Sequence, residues 1–147
     1  MGVDGGTTLT GAQPPGAPEL DNASAFLAAA GLRLTHVAAD RVEGVIELGP
    51  AHHTPWGVVH GGVYTAAIES AASVGATTAV ADRGQIAVGT NNNTDFLRSM
   101  TTGTVAVTAT PVQQGRTQQL WDVRITDESG RLVARGTVRL QNIQPRQ

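Results

Sequence analysis

Cysteine is absent from this chain of 147 residues. That excludes disulfides, a thiol nucleophile and cysteine-ligated metals. Aromatic residues are scarce too, at 3% of the chain, with two Trp, two Phe and one Tyr. With 40% of residues hydrophobic, the core must be assembled from Ala, Val, Leu and Ile. Small side chains fill space only where backbones approach closely, and 18 Gly fit that demand. There is no excess of positive charge: the net charge is −2 and the pI near 6.0. No footprint for nucleic acid or for an anionic membrane surface follows from that balance. No apolar run reaches the roughly 20 residues that span a bilayer. A basic n-region followed by an apolar h-region is also missing, so a cytoplasmic protein is expected. Asn22-Ala23-Ser24 and Asn92-Asn93-Thr94 match the glycosylation acceptor pattern, and without a secretory signal they are read as chance.

The length fits one domain with a real core. Residues 1–20, rich in Gly, Pro and Thr, are expected to form a disordered tail, with a single domain over 21–147. Asp21 or Asn22 is placed to cap a short helix through about Ala30, with Gly31 as its stop. Leu32–Val37 and Arg41–Leu48 alternate apolar with polar and read as a hairpin of half-buried strands. A loop over Gly49–Gly57 leads into a long helix from about Gly61 to Asp82, ended by Arg83-Gly84. Period two then returns over Gln85–Phe96, Thr104–Gln114, Thr117–Thr126 and Leu132–Gln141. The short turns between these strands predict an antiparallel meander. The fold class is α+β, an antiparallel sheet wrapped around one long central helix. Its outer face and edges need cover, which oligomerisation commonly supplies.

The long helix carries one charged side chain between Gly61 and Ala81, Glu69. Apolar residues surround it on nearly every side, which predicts a buried helix. A buried, unpaired carboxylate is costly. Site chemistry is the leading reason for it, and an Arg reaching across a subunit interface is the other. Three- and four-residue steps put Gly62, Thr65, Ala66, Glu69 and Ser73 on one face, small side chains around one carboxylate. At the helix start the Gly61 and Gly62 amides are free of intrahelical partners and the helix dipole favours negative charge. His52, His53 and His60 suggest a metal by type, but their spacing fits no ligand pattern and no metal is expected.

The stretch Trp56-Gly57-Val58-Val59-His60-Gly61-Gly62, with an acid at Glu69, resembles the hotdog-fold acyl-CoA thioesterases. Within them it is most similar to the PaaI-related branch and the Arthrobacter-type 4-hydroxybenzoyl-CoA thioesterases. Ala87–Arg98, Gly115-Arg116-Thr117 and Trp121-Asp122-Val123 carry the resemblance along the chain, which spans Gly31 to Gln141. It implies hydrolysis of a CoA thioester, with an aryl or medium-chain acyl group, to a free acid and CoA. No cofactor is implied beyond the CoA of the substrate itself.

The resemblance implies a role for each matching residue. Glu69 is the nucleophile, through a mixed anhydride, or the general base that activates a water; the sequence does not choose. The Gly61 amide polarises the thioester oxygen, unless the glycines are only a loop-to-helix joint. His60 orients the loop, touches the thioester, or is structural. Ser73 holds Glu69 or its water. Gly62, Asn93, Arg98, Arg116 and Thr117 fall at substrate-binding positions, the Arg residues near the nucleotide. Thr54 departs from the pattern: the Arthrobacter-type enzyme carries a Gln at the corresponding position, and a shorter hydroxyl cannot make the same reach. Tyr64 lines the acyl pocket or packs in the core. A homodimer with the site at its interface is implied, and a homotetramer as a dimer of dimers. Two rivals stand beside this reading: an enoyl-CoA hydratase or acyl-carrier dehydratase on the same fold, and a non-catalytic acyl-CoA binding module.

Overall fold

In β2 (Arg41–Leu48), Val42, Gly44, Ile46 and Leu48 are buried and the residues between them are not. This is the period of a strand with one face in a core. The same alternation buries Val105, Val107 and Ala109 of β4 (Gly103–Gln114) and Trp121, Val123 and Ile125 of β5 (Gln118–Thr126). In β6 (Leu132–Ile143) it buries Ala134, Gly136, Val138 and Leu140. The computed structural model describes residues 17–146. With β1 (Arg33–Ala38) and β3 (Ile86–Phe96), these strands make one six-stranded antiparallel sheet in the order β1-β2-β4-β5-β6-β3. Helix α2 (Gly61–Val80) lies in the curl of that sheet and touches all six strands. The short α1 (Ala25–Ala30) packs beside it.

The core is built as the composition demands. Ala67, Ile68, Ala71, Ala72, Ala76 and Val80 of α2 face the apolar rows of the sheet. Trp121 is the exception in size, and it is fully buried. It fits because Gly75 has no side chain: a Cβ there would lie 2.4 Å from the Cη2 of Trp121. The indole N–H donates to Gln119 Oε1 at 2.9 Å. Gln119 in turn donates to the carbonyl of Ala76 and to Asn142 Oδ1, each at 2.9 Å. The polar side chains in this part of the core are therefore satisfied, as burial requires.

Four expectations are corrected. The meander holds for β4, β5 and β6 but not for β3. That strand pairs with β6 at the sheet's edge, while β4 pairs with β2. Residues 97–102 therefore connect an edge strand to an interior one, anchored by the Leu97 and Arg98 amides donating to the Val133 carbonyl. The cap of α1 is Ser24, whose Oγ accepts from the Leu27 amide at 3.2 Å, and not Asp21 or Asn22. Leu20, assigned to the tail, is packed into the core; the tail's residues 1–16 lie outside the described residues. Finally, α2 is not buried all round. One chain's sheet covers one side of it, and Glu69 stands exposed on the other.

The turn after β5 holds a carboxylate under tension with pH. Asp127 accepts from the Ser129 and Arg131 amides and from Arg131 Nε, each at 2.9 Å. The Arg131 amide first, then the Ser129 amide and the Arg131 guanidinium, hold its pKa below the usual Asp value against the opposing effect of desolvation. A depressed carboxyl stabilises the fold above its unfolded pKa, and that contribution is lost as pH falls through the folded pKa. Asp127→Asn should therefore unfold at lower urea concentration than wild type at neutral pH. The gap should narrow as pH falls through the folded pKa, below which both states bind the proton. A gap that stays constant with pH would assign the effect to turn geometry and not to charge.

Candidate active site

The site begins where the chain turns into α2. Thr54 closes a tight turn: its amide donates to the Val58 carbonyl at 2.7 Å and its Oγ1 accepts from the Trp56 amide at 3.2 Å. The His60 amide donates to the His52 carbonyl at 2.8 Å, which fixes the approach to the helix. His60 is the N-cap of α2, and its Nδ1 accepts from the Gly62 amide at 2.7 Å. The acceptor role leaves the proton of the neutral ring on Nε2. With Gly62 engaged, Gly61 presents the first amide of the helix, for which the helix itself has no acceptor. Gly61 is also a close-approach position, because a Cβ there would meet the Phe96 ring at 2.8 Å.

An open cavity of about 460 Å³ lies at this helix start, lined by His60, Gly61, Gly62, Tyr64, Phe96 and Arg98 among others. On the other flank of His60 and Gly62 a cleft of about 340 Å³ runs between α1 and α2, walled by Phe26, Ala29, Ala30, Val63 and Ala66. The first sets the helix amide and Arg98 beside two aromatic rings, and the second is walled mostly by apolar side chains.

Glu69 lies farther along the exposed side of α2, next to β3. Gly89 lies beside it: a Cβ there would make ordinary contact, 3.7 Å from the carboxylate carbon. Ser73, one turn on, is half-buried and lines a separate cleft of about 570 Å³ with Val74 and Thr77. The buried carboxylate expected from the sequence is thus an exposed one in the single chain, for the reason given above.

The remaining expected residues are dispersed. Asn92, not Asn93, faces the helix, donating from Nδ2 to the Thr65 carbonyl at 3.1 Å and accepting from Thr94 Oγ1 at 2.7 Å. Asn93 is exposed, and strand alternation puts it on the opposite face. Arg116 and Thr117 sit in the β4–β5 turn, where the Arg116 carbonyl accepts from Arg83 Nη1 beyond the end of α2. A helix of 20 residues separates that end from Gly61, about 30 Å. They line a cleft, through Thr117, with Gln113, Gly115 and Arg139. One chain therefore brings His60, Gly61, Gly62 and Arg98 together, and leaves Glu69, Ser73, Thr54, Asn93, Arg116 and Thr117 outside that cavity.

The histidines have structural employment. His52 Nε2 lies 2.9 Å from the Ala29 carbonyl and His53 Nε2 2.6 Å from the Thr101 carbonyl. Among the described residues no group of three His, Cys, Asp or Glu is placed to hold a metal, and no helix is long and apolar enough to cross a membrane. Reasoning from sequence missed Phe96 as the neighbour of Gly61 and Asn92 as the strand-to-helix tie. Asn is a poor strand residue unless its amide is used, and that is the signal by which Asn92 could have been found.

Residues 57–134 match the model of the thioesterase superfamily. A provisionally named esterase of Mycobacterium tuberculosis is 48% identical over 118 residues, 79% of this chain and 84% of that one. Its structure superposes with a TM-score of 0.79 at 48% identity, over 83% of this chain and 98% of that one. The 1,4-dihydroxy-2-naphthoyl-CoA hydrolase of Listeria monocytogenes is 32% identical over 103 residues, 70% of this chain and 83% of that one. The proofreading thioesterase EntH of Cronobacter turicensis is 32% identical over 101 residues, 69% and 73% of the two chains. With the sheet curled around α2 and the His-Gly-Gly start of that helix, these likenesses show that the chain belongs to the thioesterase superfamily and is a thioester hydrolase on the hotdog fold.

Proposed function

We propose that the chain hydrolyses acyl-CoA thioesters to a free acid and CoA, at sites completed by a second copy of itself. The observation that carries this reading is the placement of Glu69 relative to Gly61. Glu69 lies eight positions past Gly61 on α2, about 12 Å along the axis and about 80° around it. A thioester needs its carbon about 3–3.5 Å from the attacking oxygen. It needs its own oxygen about 3 Å from the polarising amide. One chain's pair is poorly placed for that, whereas the exposed, small-residue face of α2 and the open edge of β3 invite a second copy. Glu69 of one subunit then acts on a thioester whose oxygen the other's Gly61 amide holds. His60 keeps the Gly62 amide occupied and the loop in place. Ser73 supports Glu69 or its water, and Arg98 of one subunit and Arg116 and Thr117 of the other, which lie about 30 Å apart within one chain, meet the phosphate-bearing end of CoA.

The assembly is a homodimer, paired again into a tetramer, and it works in the cytoplasm without metal or redox cofactor. The acyl group is aromatic or of medium length. Support comes from the apolar cleft beside His60, from the likeness to Arthrobacter-type 4-hydroxybenzoyl-CoA thioesterases, and from the Listeria relative, whose name gives an aromatic acyl-CoA as its substrate.

Free-thiol release from benzoyl-, hydroxybenzoyl-, phenylacetyl-, short-chain and long-chain CoA tests this directly. Aryl or medium-chain members should turn over fastest. Binding of acyl-CoA without release of thiol from any member would overturn the hydrolase reading in favour of a binding module.

A further inference from the structure

Tyr64 is the lone tyrosine of the chain and only 3% exposed, yet its hydroxyl has no hydrogen-bond partner among the described residues. Buried hydroxyls are rarely left so, because each forfeits its hydrogen bonds to water. Its position is equally specific. Tyr64 follows Gly61 by three residues on α2, and helical side chains lean back over the turn before them. The phenol therefore leans toward the helix start, where Gly61 offers its amide, and Tyr64 is part of the wall of the cavity there. Its ring centroid lies 6.3 Å from that of Phe96, the ring that packs on Gly61. Phe96 is itself 55% exposed, so a ligand that turns it aside reaches the phenol. Burial also pushes the Tyr64 pKa up, which keeps the group a neutral O–H donor.

We propose that the Tyr64 hydroxyl is a catalytic hydrogen-bond donor to the thioester carbonyl oxygen, acting beside the Gly61 amide. The inference rests on the thioesterase reading and deepens it at the same site. It explains why a donor with no partner in the fold is kept at a buried position next to a helix start. A hydrogen bond that strengthens as the oxygen gains charge acts on kcat more than on KM.

Tyr64→Phe removes the oxygen and keeps the ring. Thermal melting of the free protein and steady-state kinetics on the best acyl-CoA substrate read the two possible roles separately. If the hydroxyl waits for substrate, the melting temperature stays unchanged or rises, because a desolvated group has been removed. At the same time kcat falls by about 10²- to 10³-fold while KM moves by less than about threefold. A lowered melting temperature, or a weakened oligomer, would show the hydroxyl bonded within the fold or across subunits and would overturn the assignment. So would an unchanged kcat. A wild type that releases no thiol from any acyl-CoA overturns the thioesterase reading itself, whereas an active wild type with an equally active Tyr64→Phe overturns only the role of Tyr64.

Discussion

Glu69→Ala should lower kcat by about 10²- to 10⁴-fold, the range lost with a general base, and further if the carboxylate attacks directly. It should do so without cost to the fold. The Glu69 carboxylate is exposed, makes no ion pair with a described residue, and stands on a face of small side chains. Removing a charge from such a face, which the assembly would bury, leaves stability unchanged or raises it. Glu69→Gln separates shape from charge, because the amide keeps the size and loses the base. Both variants should therefore be nearly inactive and as well folded as the wild type. The other reading of this residue, an ion pair with an Arg across subunits, makes the opposite forecast: breaking such a pair loosens the assembly by several kcal/mol. Thiol release measured beside sedimentation of the same samples distinguishes them. Activity within about tenfold of wild type would remove Glu69 from the chemistry.

Gly75→Ala has the largest expected effect on stability. Replacing Gly by Ala inside a helix ordinarily gains about 1 kcal/mol. Here the new Cβ would lie 2.4 Å from Trp121 Cη2, 2.7 Å from its Cζ3 and 3.0 Å from Val42 Cγ2. The indole has nowhere to retreat, being fully buried and tied to Gln119 at 2.9 Å. Overpacking of this kind costs about 1–3 kcal/mol, occasionally more, and a contact this short puts it at the upper end. The strain outweighs the helix gain, for a net loss of about 2 kcal/mol and a melting point lower by roughly 4–8 °C. Trp121→Phe removes the atoms in collision. The double variant should then be less destabilised than the two single variants summed, a coupling expected only of residues in contact. A melting point raised by Gly75→Ala would mean that the helix gain had won and that the Trp121 contact is loose.

Much of this molecule is legible in the chain's own order of residues. Val42, Ile46 and Leu48 against Arg41, Glu43 and Glu47 fix which face of β2 is inside, because a strand's side chains alternate. Gly31 ends α1 in a left-handed turn at φ 79°, as a glycine after a helix commonly does. His60-Gly61-Gly62 opens α2 where the sequence places it, and Glu69 stands out as the lone charge on that helix. These are local matters, settled by dihedral preference and by period.

Which strands become neighbours is not local. Period two marks β3 as a strand and says nothing about its partner, so only the folded sheet sends β3 to the edge beside β6. Ser24 caps α1 although Asp21 and Asn22 are equally good capping types, and Leu20 just before them packs into the core. The pairing of Gly75 with Trp121 joins residues far apart in sequence, and no residue between them announces it. The apolar surround of Glu69 predicts burial, yet a helix apolar on every side needs cover on every side. One chain's sheet supplies half of it. The sequence determined that α2 must be covered all round and carries one carboxylate. The tertiary structure alone decided which face the chain covers itself, and so left Glu69 on the side that only another surface can close.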